Sequence, residues 1–327
     1  MSKTYRVGII GTGGIARHHT GGYNACEHTA IVAAADISEE ALAKYKDEFK
    51  VTHLYTDYME MLQKENLDIV SVCTWHLTHR DIVVNAAPYV KGLICEKPMA
   101  LSLGDADDMI SACDAAGTKL AIGHQRRFAA QHLKALEILR NGEIGALRFA
   151  WISSPPPLVG WGTHVADLAR YYLGEVKFVM GQIDFRSRRE SPRHGECVED
   201  MSSAYLQFTS GLRVLFETES GQHRLHIFGE EGEIEAMVDG DLRVKAKGTA
   251  EWVKPALQRQ NPFKLEMDEL VAAIEENRDH LSSGREGRAA LEILMAVFES
   301  SRRRKTVELP LEEKGNPLEM MVKSGEI

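Results

Sequence analysis

Up to about residue 123 the chain alternates short, wholly apolar runs with longer stretches whose apolar positions recur at helical spacing. Residues 5–10, 30–35, 67–73, 93–95 and 119–123 are such runs. They are too short for helices and are bounded by Gly, Asp or other turn residues, which predicts strands buried on both faces. Between them the pattern predicts a helix from Ile15 onward and another at 39–48 with Ser38 as its N-cap. A third is expected at 81–91, ended by Gly92, and a fourth opens at Ser102 to Asp105 and ends at Gly117. Strands alternating with helices build βαβ units and a parallel sheet.

The period changes after residue 124. Helices are expected at 131–141, closed by Gly142, and at 163–173, ended by Gly174, with a strand at 147–153 between them. From 176 to about 253 polar and apolar residues alternate in period two, interrupted by Ser210-Gly211, Glu231-Gly232 and Asp239-Gly240. That is the pattern of an antiparallel sheet. Amphipathic helices follow at 263–277 and 285–303. The expected fold class is α/β: a doubly wound domain over 1–123, then an α+β domain over 124–327 with a large, mainly antiparallel open sheet.

Composition narrows the chemistry. Apolar residues make up 44% of the 327, enough for two cores, and 48 acidic against 39 basic residues give a formal charge of −9. A net-negative chain neutralises phosphates poorly, which argues against a nucleic-acid partner. The dense basic stretch, Arg186, Arg188, Arg189 and Arg193, reads as a solvated loop, with a carboxylate or phosphate contact as its alternative. Cys26, Cys73, Cys95, Cys113 and Cys197 have no CxxC spacing and several sit in apolar runs, the usage of buried thiols in a reducing compartment. With no signal-peptide core and no stretch of transmembrane length, the expected address is cytoplasmic, with no membrane partner.

Gly11-Thr12-Gly13-Gly14-Ile15-Ala16 follows the first strand and opens a helix, a GxGxxA dinucleotide turn. Gly11 permits the turn, Gly13 clears space for a pyrophosphate, and the helix start offers free N–H groups to it. Asp36 ends the second strand, followed by Ile37, with no adjacent Arg to receive a 2′-phosphate. A carboxylate there accepts from ribose hydroxyls, so the expected cofactor is NAD; the plainer alternative for Asp36 is a helix-capping acid. These elements in this order describe a Rossmann domain.

Glu96-Lys97-Pro98 ends the fourth strand, at the carboxyl edge where open α/β sheets bind ligands. Lys97 is a candidate proton relay, or one half of a solvated Glu-Lys pair. Gly160-Trp161-Gly162-Thr163-His164 opens a helix after Pro155 to Pro157, so His164 is expected on its first turn, where the dipole favours a neutral base. Asp167 lies three residues on, to orient the ring or cap the helix. A structural His164 is the alternative. His18 and His19 diverge on their helix, and His223 and His226 face opposite sides of a strand-like run. No HExxH, CxxC or carboxylate–His cluster appears, so no metal is expected. GxSxG and Walker A elements are missing too.

The chain resembles the Gfo/Idh/MocA oxidoreductases over nearly its whole length. The likeness rests on GTGGIARHH (11–19), Asp36, the stretch containing His79, CEKPMALS (95–102), GHQRRF (123–128), GTHVADLARYYLG (162–174) and HIFGEEGEIEA (226–236). The resemblance implies an NAD-dependent dehydrogenase or reductase of sugars, polyols such as inositols, or their derivatives, assembled as a homodimer or homotetramer through the C-terminal sheet. It implies that Lys97 and His164 carry the proton chemistry. It places Glu96 and His79, with Thr74 and Trp75 of the same loop, beside the cofactor, and Arg127, Trp161 and Thr163 on the substrate side. Two departures stand out. Many catalytic members carry an Asp four residues before the histidine, where this chain has Gly160, and Trp75-His76 replaces a common Pro-Asn. The proline-stiffened segment before Gly160 implies a reshaped substrate pocket. Two other functions stay open at this point: redox-cycling lyase or glycosidase chemistry with NAD retained, and a non-catalytic NAD-binding regulator.

Overall fold

The computed structural model describes residues 3–185, 189–190 and 197–327. Arg186, Arg188 and Arg193 of the basic stretch lie outside the described residues. The chain forms two compact units, one of residues 1–101, 105–128 and 260–288, the other of 102–104, 129–259 and 289–327.

The first unit carries β1 (Tyr5–Ile10), α1 (Gly14–Ala25), β2 (Thr29–Ala35), α2 (Glu39–Phe49), β3 (His53–Tyr55), α3 (Tyr58–Lys64), β4 (Ile69–Val72), α4 (His79–Ala86), β5 (Gly92–Cys95), α5 (Leu103–Ala116) and β6 (Lys119–Ile122). The six strands form one parallel sheet in the order β3-β2-β1-β4-β5-β6. The order reverses between β1 and β4, the crevice where such sheets bind ligands. Val7, Ile9, Ile69, Ile94 and Ala121 are fully buried between the helix layers. Each Val or Ile so enclosed stabilises the fold by about 1.5–3 kcal/mol. The α2 helix starts where expected, with the Ser38 hydroxyl accepting from Ala41 N–H at 3.2 Å. The helix expected at 81–91 is shorter: α4 ends at Ala86 and a 3-10 turn, Ala87–Tyr89, follows. Pro88 lacks the N–H that an α-helix needs there. β3 and α3, too short to show a period, were not expected.

The second unit carries α6 (Ala130–Arg140), β7 (Leu147–Ser153), α7 (Thr163–Leu173), β8 (Val176–Asp184), the paired short strands β9 (Arg189–Glu190) and β10 (Cys197–Val198), β11 (Met201–Phe208), β12 (Arg213–Glu217), β13 (Arg224–Gly229), β14 (Gly232–Met237) and β15 (Leu242–Ala246). Then come α8 (Pro262–Glu275), which joins the first unit, α9 (Gly284–Arg303), β16 (Val307–Glu308) and α10 (Pro317–Ser324). Eight strands make one sheet, β15-β14-β13-β7-β12-β11-β8-β16, antiparallel except where β7 meets β12.

Alternation gives this sheet two unlike faces. Val179, Leu206, Val214, Ile152, Leu225 and Ile234 are buried on one. Against that face a Cβ at Gly181 would meet Val297 of α9 at 2.9 Å, and Ser300 of α9 accepts from Gly181 N–H at 2.8 Å. On the other face one register row runs Met180, Tyr205, Leu215, Trp151, His226, Glu235, Arg243 across seven strands. Met180, Leu215 and Trp151 on that row are 51%, 45% and 38% exposed, an apolar patch of the kind that marks an interaction surface.

Candidate active site

The dinucleotide turn sits at the carboxyl end of β1. Gly11 has φ +85°, and a Cβ there would lie 2.8 Å from the Cys73 carbonyl carbon, so only glycine fits. At Gly13 and Gly14 a Cβ would meet nothing within 4 Å. Gly13 caps α1 without a side-chain hydrogen bond, which leaves the helix start as a cradle of backbone N–H groups. Asp36, at the end of β2, accepts through Oδ2 from Thr12 N–H at 2.7 Å and from the Thr12 hydroxyl at 3.0 Å, and through Oδ1 from Ser38 N–H at 2.9 Å. The carboxylate ties the Gly-rich turn to the second strand and holds an acid beside it, while the cap of α2 is Ser38, so Asp36 is not the helix-capping acid. Ile37 projects into solvent, 95% exposed. An open glycine cradle, an uncapped helix start and a fixed carboxylate fit a bound NAD.

Two strands from β1 in the sheet, Glu96 is buried just past β5, and Lys97 follows it. His19 Nε2 lies 2.8 Å from Glu96 Oε1, and Lys97 N–H donates to Glu96 Oε2 at 3.2 Å. Burial opposes the Glu96 charge, yet hydrogen bonding and attraction from His19 hold its carboxyl below the usual range. His79, also buried, has Nδ1 3.1 Å from the Pro98 carbonyl and Nε2 3.1 Å from that of Thr74, and burial lowers its pKa. It ties the Lys97-Pro98 segment to the loop after β4, where Thr78 donates to Thr74 Oγ1 and to the Trp75 carbonyl, both at 2.8 Å. The Trp75 indole is 54% exposed. Arg127 is buried, donating to the Leu281 carbonyl at 2.6 Å and the Glu286 carboxylate at 3.0 Å.

In the second unit a single π-helical turn, Leu158–Gly162, runs directly into α7, and Gly162 is already helical. The helical segment therefore starts at Leu158, after extended Pro157, and His164 stands more than one turn inside it. That corrects the expectation of a first-turn histidine, since the dipole's effect fades within the first turn. His164, Thr163 and Asp167 are buried, whereas Trp161 is 44% exposed. A Cβ at Gly160 would stand 3.3 Å from the Pro157 ring, so an Asp there would press on the proline run.

Three contributors escaped the sequence reading. His19, set aside as diverging from His18, lies on the buried face of α1 with Ala16, Thr20 and Tyr23, a period of three to four that the sequence does carry. His223, just before β13, has its ring 6.1 Å from that of His164 and 6.0 Å from the Trp161 indole, a contact across 59 residues that no local spacing signals. Glu199 is buried and accepts from Leu158 N–H, the first donor of the π turn. Burial pushes its carboxyl up to about 7 despite that hydrogen bond. Among the described residues no group of three or more His, Cys, Asp or Glu is placed to hold a metal, and no helix is long and apolar enough to cross a membrane.

Comparison with known proteins agrees with this geometry. Residues 5–124 match the Gfo/Idh/MocA description "oxidoreductase family, NAD-binding Rossmann fold", and residues 152–309 match its "C-terminal alpha/beta domain". Myo-inositol 2-dehydrogenase of Thermotoga maritima is 32% identical over 249 residues, 70% of this chain and 74% of that protein. D-apiose dehydrogenase of Paraburkholderia graminis is 28% identical over 99% of this chain and 95% of its own length. The crystal structure of aldose-aldose oxidoreductase from Caulobacter crescentus, complexed with glycerol, superposes with a TM-score of 0.85 at 28% identity, covering 94% of this chain and all of that one.

Proposed function

The chain belongs to the Gfo/Idh/MocA family of NAD-binding oxidoreductases, and we propose that within it Lys97 and His164 move the proton while a hydride passes between a sugar or polyol carbon and the cofactor. It is an NAD-dependent oxidoreductase acting on sugars or polyols. We assign cofactor binding to the first unit and substrate binding and assembly to the second; the expected single boundary at 123 gives way to one in which 124–128 and 260–288, with α8, belong to the first unit.

The observation that carries the assignment is the position of Lys97. It follows a buried, ionised Glu96 at the carboxyl edge of the same sheet whose β1 and β2 ends hold Gly11 and Asp36. Bound NAD supplies the hydride acceptor. The chain does the rest: the N–H groups at the start of α1, over Gly13, Gly14 and Ile15, take the pyrophosphate. Asp36 takes the ribose hydroxyls and excludes a 2′-phosphate, and exposed Ile37 covers an adenine face. Thr74, Trp75 and His79 line the nicotinamide side. On oxidation the substrate hydroxyl gives its proton to His164 or Lys97 as the C–H bond breaks, and on reduction the same groups return it. Trp161 offers an apolar face to a sugar ring and Thr163 a hydroxyl, while Arg127, expected on the substrate side, is buried with its guanidinium on the Leu281 carbonyl and the Glu286 carboxylate and acts as a structural tie. With Gly160 in place of an Asp, no carboxylate at that position shares the proton with Lys97 and His164.

The exposed row from Met180 to Trp151 supports pairing of subunits through the sheet, as a homodimer or homotetramer, because burial there removes apolar surface from water. The test of the reaction is a panel of inositols, pentoses, hexoses and sugar acids assayed by NADH absorbance. Net NADH with an inositol or aldose supports the assignment. Substrate conversion without net NADH would replace it by an internally recycled redox reaction, and NAD binding with no conversion of any panel member by a binding role.

A further inference from the structure

The mechanism above leaves His19 without a role, yet this side chain joins the cofactor helix to the residue before Lys97. Its imidazole is fully buried, Nε2 2.8 Å from Glu96 Oε1 and Nδ1 3.1 Å from the Ser71 hydroxyl, which lies 2.9 Å from the Tyr23 hydroxyl. The pair has a built site. A Cβ at Gly123 would fall 2.8 Å from Glu96 Oε1, so the carboxylate occupies the room that a glycine leaves. Phe263 of α8 closes the other side of the ring, centroids 5.6 Å apart. A carboxylate taken this far from water is costly unless an opposite charge and hydrogen bonds replace the solvent.

We propose that His19 is a positioning residue for proton transfer: as the buried cation opposite Glu96 it holds that carboxylate, and through the carboxylate the backbone of Lys97, in place. This rests on Lys97 being the proton-transfer residue. Burial disfavours the imidazolium, but Cys73 and Glu96 act against burial and the net displacement is upward. The Cys73 thiol is itself pushed up by burial and stays neutral, so Glu96 is the partner that carries charge. The other titratable groups facing the pair are Lys97 and His79 toward Glu96, and the Cys95 thiol, pushed well up by burial.

The test compares His19→Leu and His19→Gln with wild type. Glutamine is near histidine in reach and can donate to Glu96 without carrying charge, so it serves even if the leucine variant does not fold. Three readouts are taken: kcat against KM, the pH profile of kcat, and isotope-edited infrared of the Glu96 carboxyl in cofactor-free protein, identified by difference from Glu96→Gln. We expect kcat to fall about tenfold or more in His19→Leu with NAD affinity held within about twofold, and part of the loss to be recovered in His19→Gln. The acid limb of the profile should move up by about one pH unit, because without the cation Glu96 keeps its proton longer. The infrared transition of Glu96 from carboxylic acid to carboxylate should move up in pH by a similar amount. A carboxylate band and an acid limb both unmoved in the glutamine variant would overturn the proposal, even if stability drops. Wild-type turnover in Lys97→Met would instead remove the premise, and the infrared result would still report whether His19 holds the Glu96 charge.

Discussion

Two helical segments, one beside the dinucleotide turn and one carrying His164, begin in opposite ways. The α1 helix starts at an open glycine turn with no side chain on its leading N–H groups. The segment leading into α7 starts after stiff prolines, and its first N–H, that of Leu158, is taken by the buried carboxylate of Glu199. Both starts present backbone donors to an oxygen acceptor. In the first the acceptor is left for a ligand to bring, and in the second the protein supplies it. A start built for a ligand must stay empty and permissive, while one that only orients Trp161 and His164 can be filled and fixed. The difference teaches where substitutions should weaken binding and where they should weaken the fold.

The largest effect separates chemistry from both starts. Lys97→Met and His164→Ala should each lower kcat by about a hundred- to ten-thousand-fold, the contribution of a positioned acid–base group. NAD affinity, measured by fluorescence titration, should stay close to wild type, since the pyrophosphate contacts we propose lie at Gly13 to Ile15. Turnover surviving in both variants would break the assignment on either unit.

Next comes a pair of alanine substitutions within a single turn. Gly11→Ala places a Cβ against the backbone of Cys73 at φ +85°, where neither neighbour can yield. It should lower unfolding free energy by about 2–4 kcal/mol in denaturant titration. Gly13→Ala meets no protein atom within 4 Å, so stability should hold while NAD affinity falls. If both variants lose only stability, the space at Gly13 is not a pyrophosphate site.

Asp36→Ala is smaller. It removes the tie to Thr12 and the proposed ribose acceptor, and should weaken NAD about tenfold to a hundredfold, or about 1.4–2.8 kcal/mol, while narrowing the gap to NADP. Equal wild-type affinities for the two cofactors would contradict the role given to this carboxylate.

The unequal starts also explain what the sequence let a reader see. Around α1 everything needed is local: the apolar run, Gly11 and Gly13, and Asp36 ending the next strand report one βα turn within 26 residues, and the structure brings them together. The open sheet was legible for the same reason, because period-two alternation is a property of each strand by itself. Around α7 the determinants are remote. Glu199 sits 41 residues after Leu158 and His223 lies 59 after His164, so neither is tied to its partner by any spacing. The π turn was hidden as well: Leu158 to Gly162 contains two glycines and would score as a loop, and only the packing of its neighbours makes it helical. His19 is the intermediate case. Its helical face was readable, but its partner Glu96 lies 77 residues away on another element.

The smallest predicted effect tests the filled start, and it depends on pH. Burial of Glu199 outweighs its hydrogen bonds with Leu158 N–H and Ser202, so its carboxyl rises to about 7, against about 4.5 when unfolded. Between those values the folded state binds more protons than the unfolded one. The stability tied to this group is therefore complete below about pH 4.5 and declines as pH rises toward 7. The displacement corresponds to an upper limit of about 3 kcal/mol, of which relaxation around the carboxylate would recover part. Glutamine keeps an oxygen for the Leu158 N–H and cannot ionise. Glu199→Gln should accordingly be more stable than wild type by about 1–2 kcal/mol at pH 8, with the difference shrinking as pH falls toward 5. Equilibrium denaturation at several pH values measures this directly. A loss of stability independent of pH would mean that the carboxylate is held charged, and the start of this segment would then resemble a paired ion site more than a buried acid.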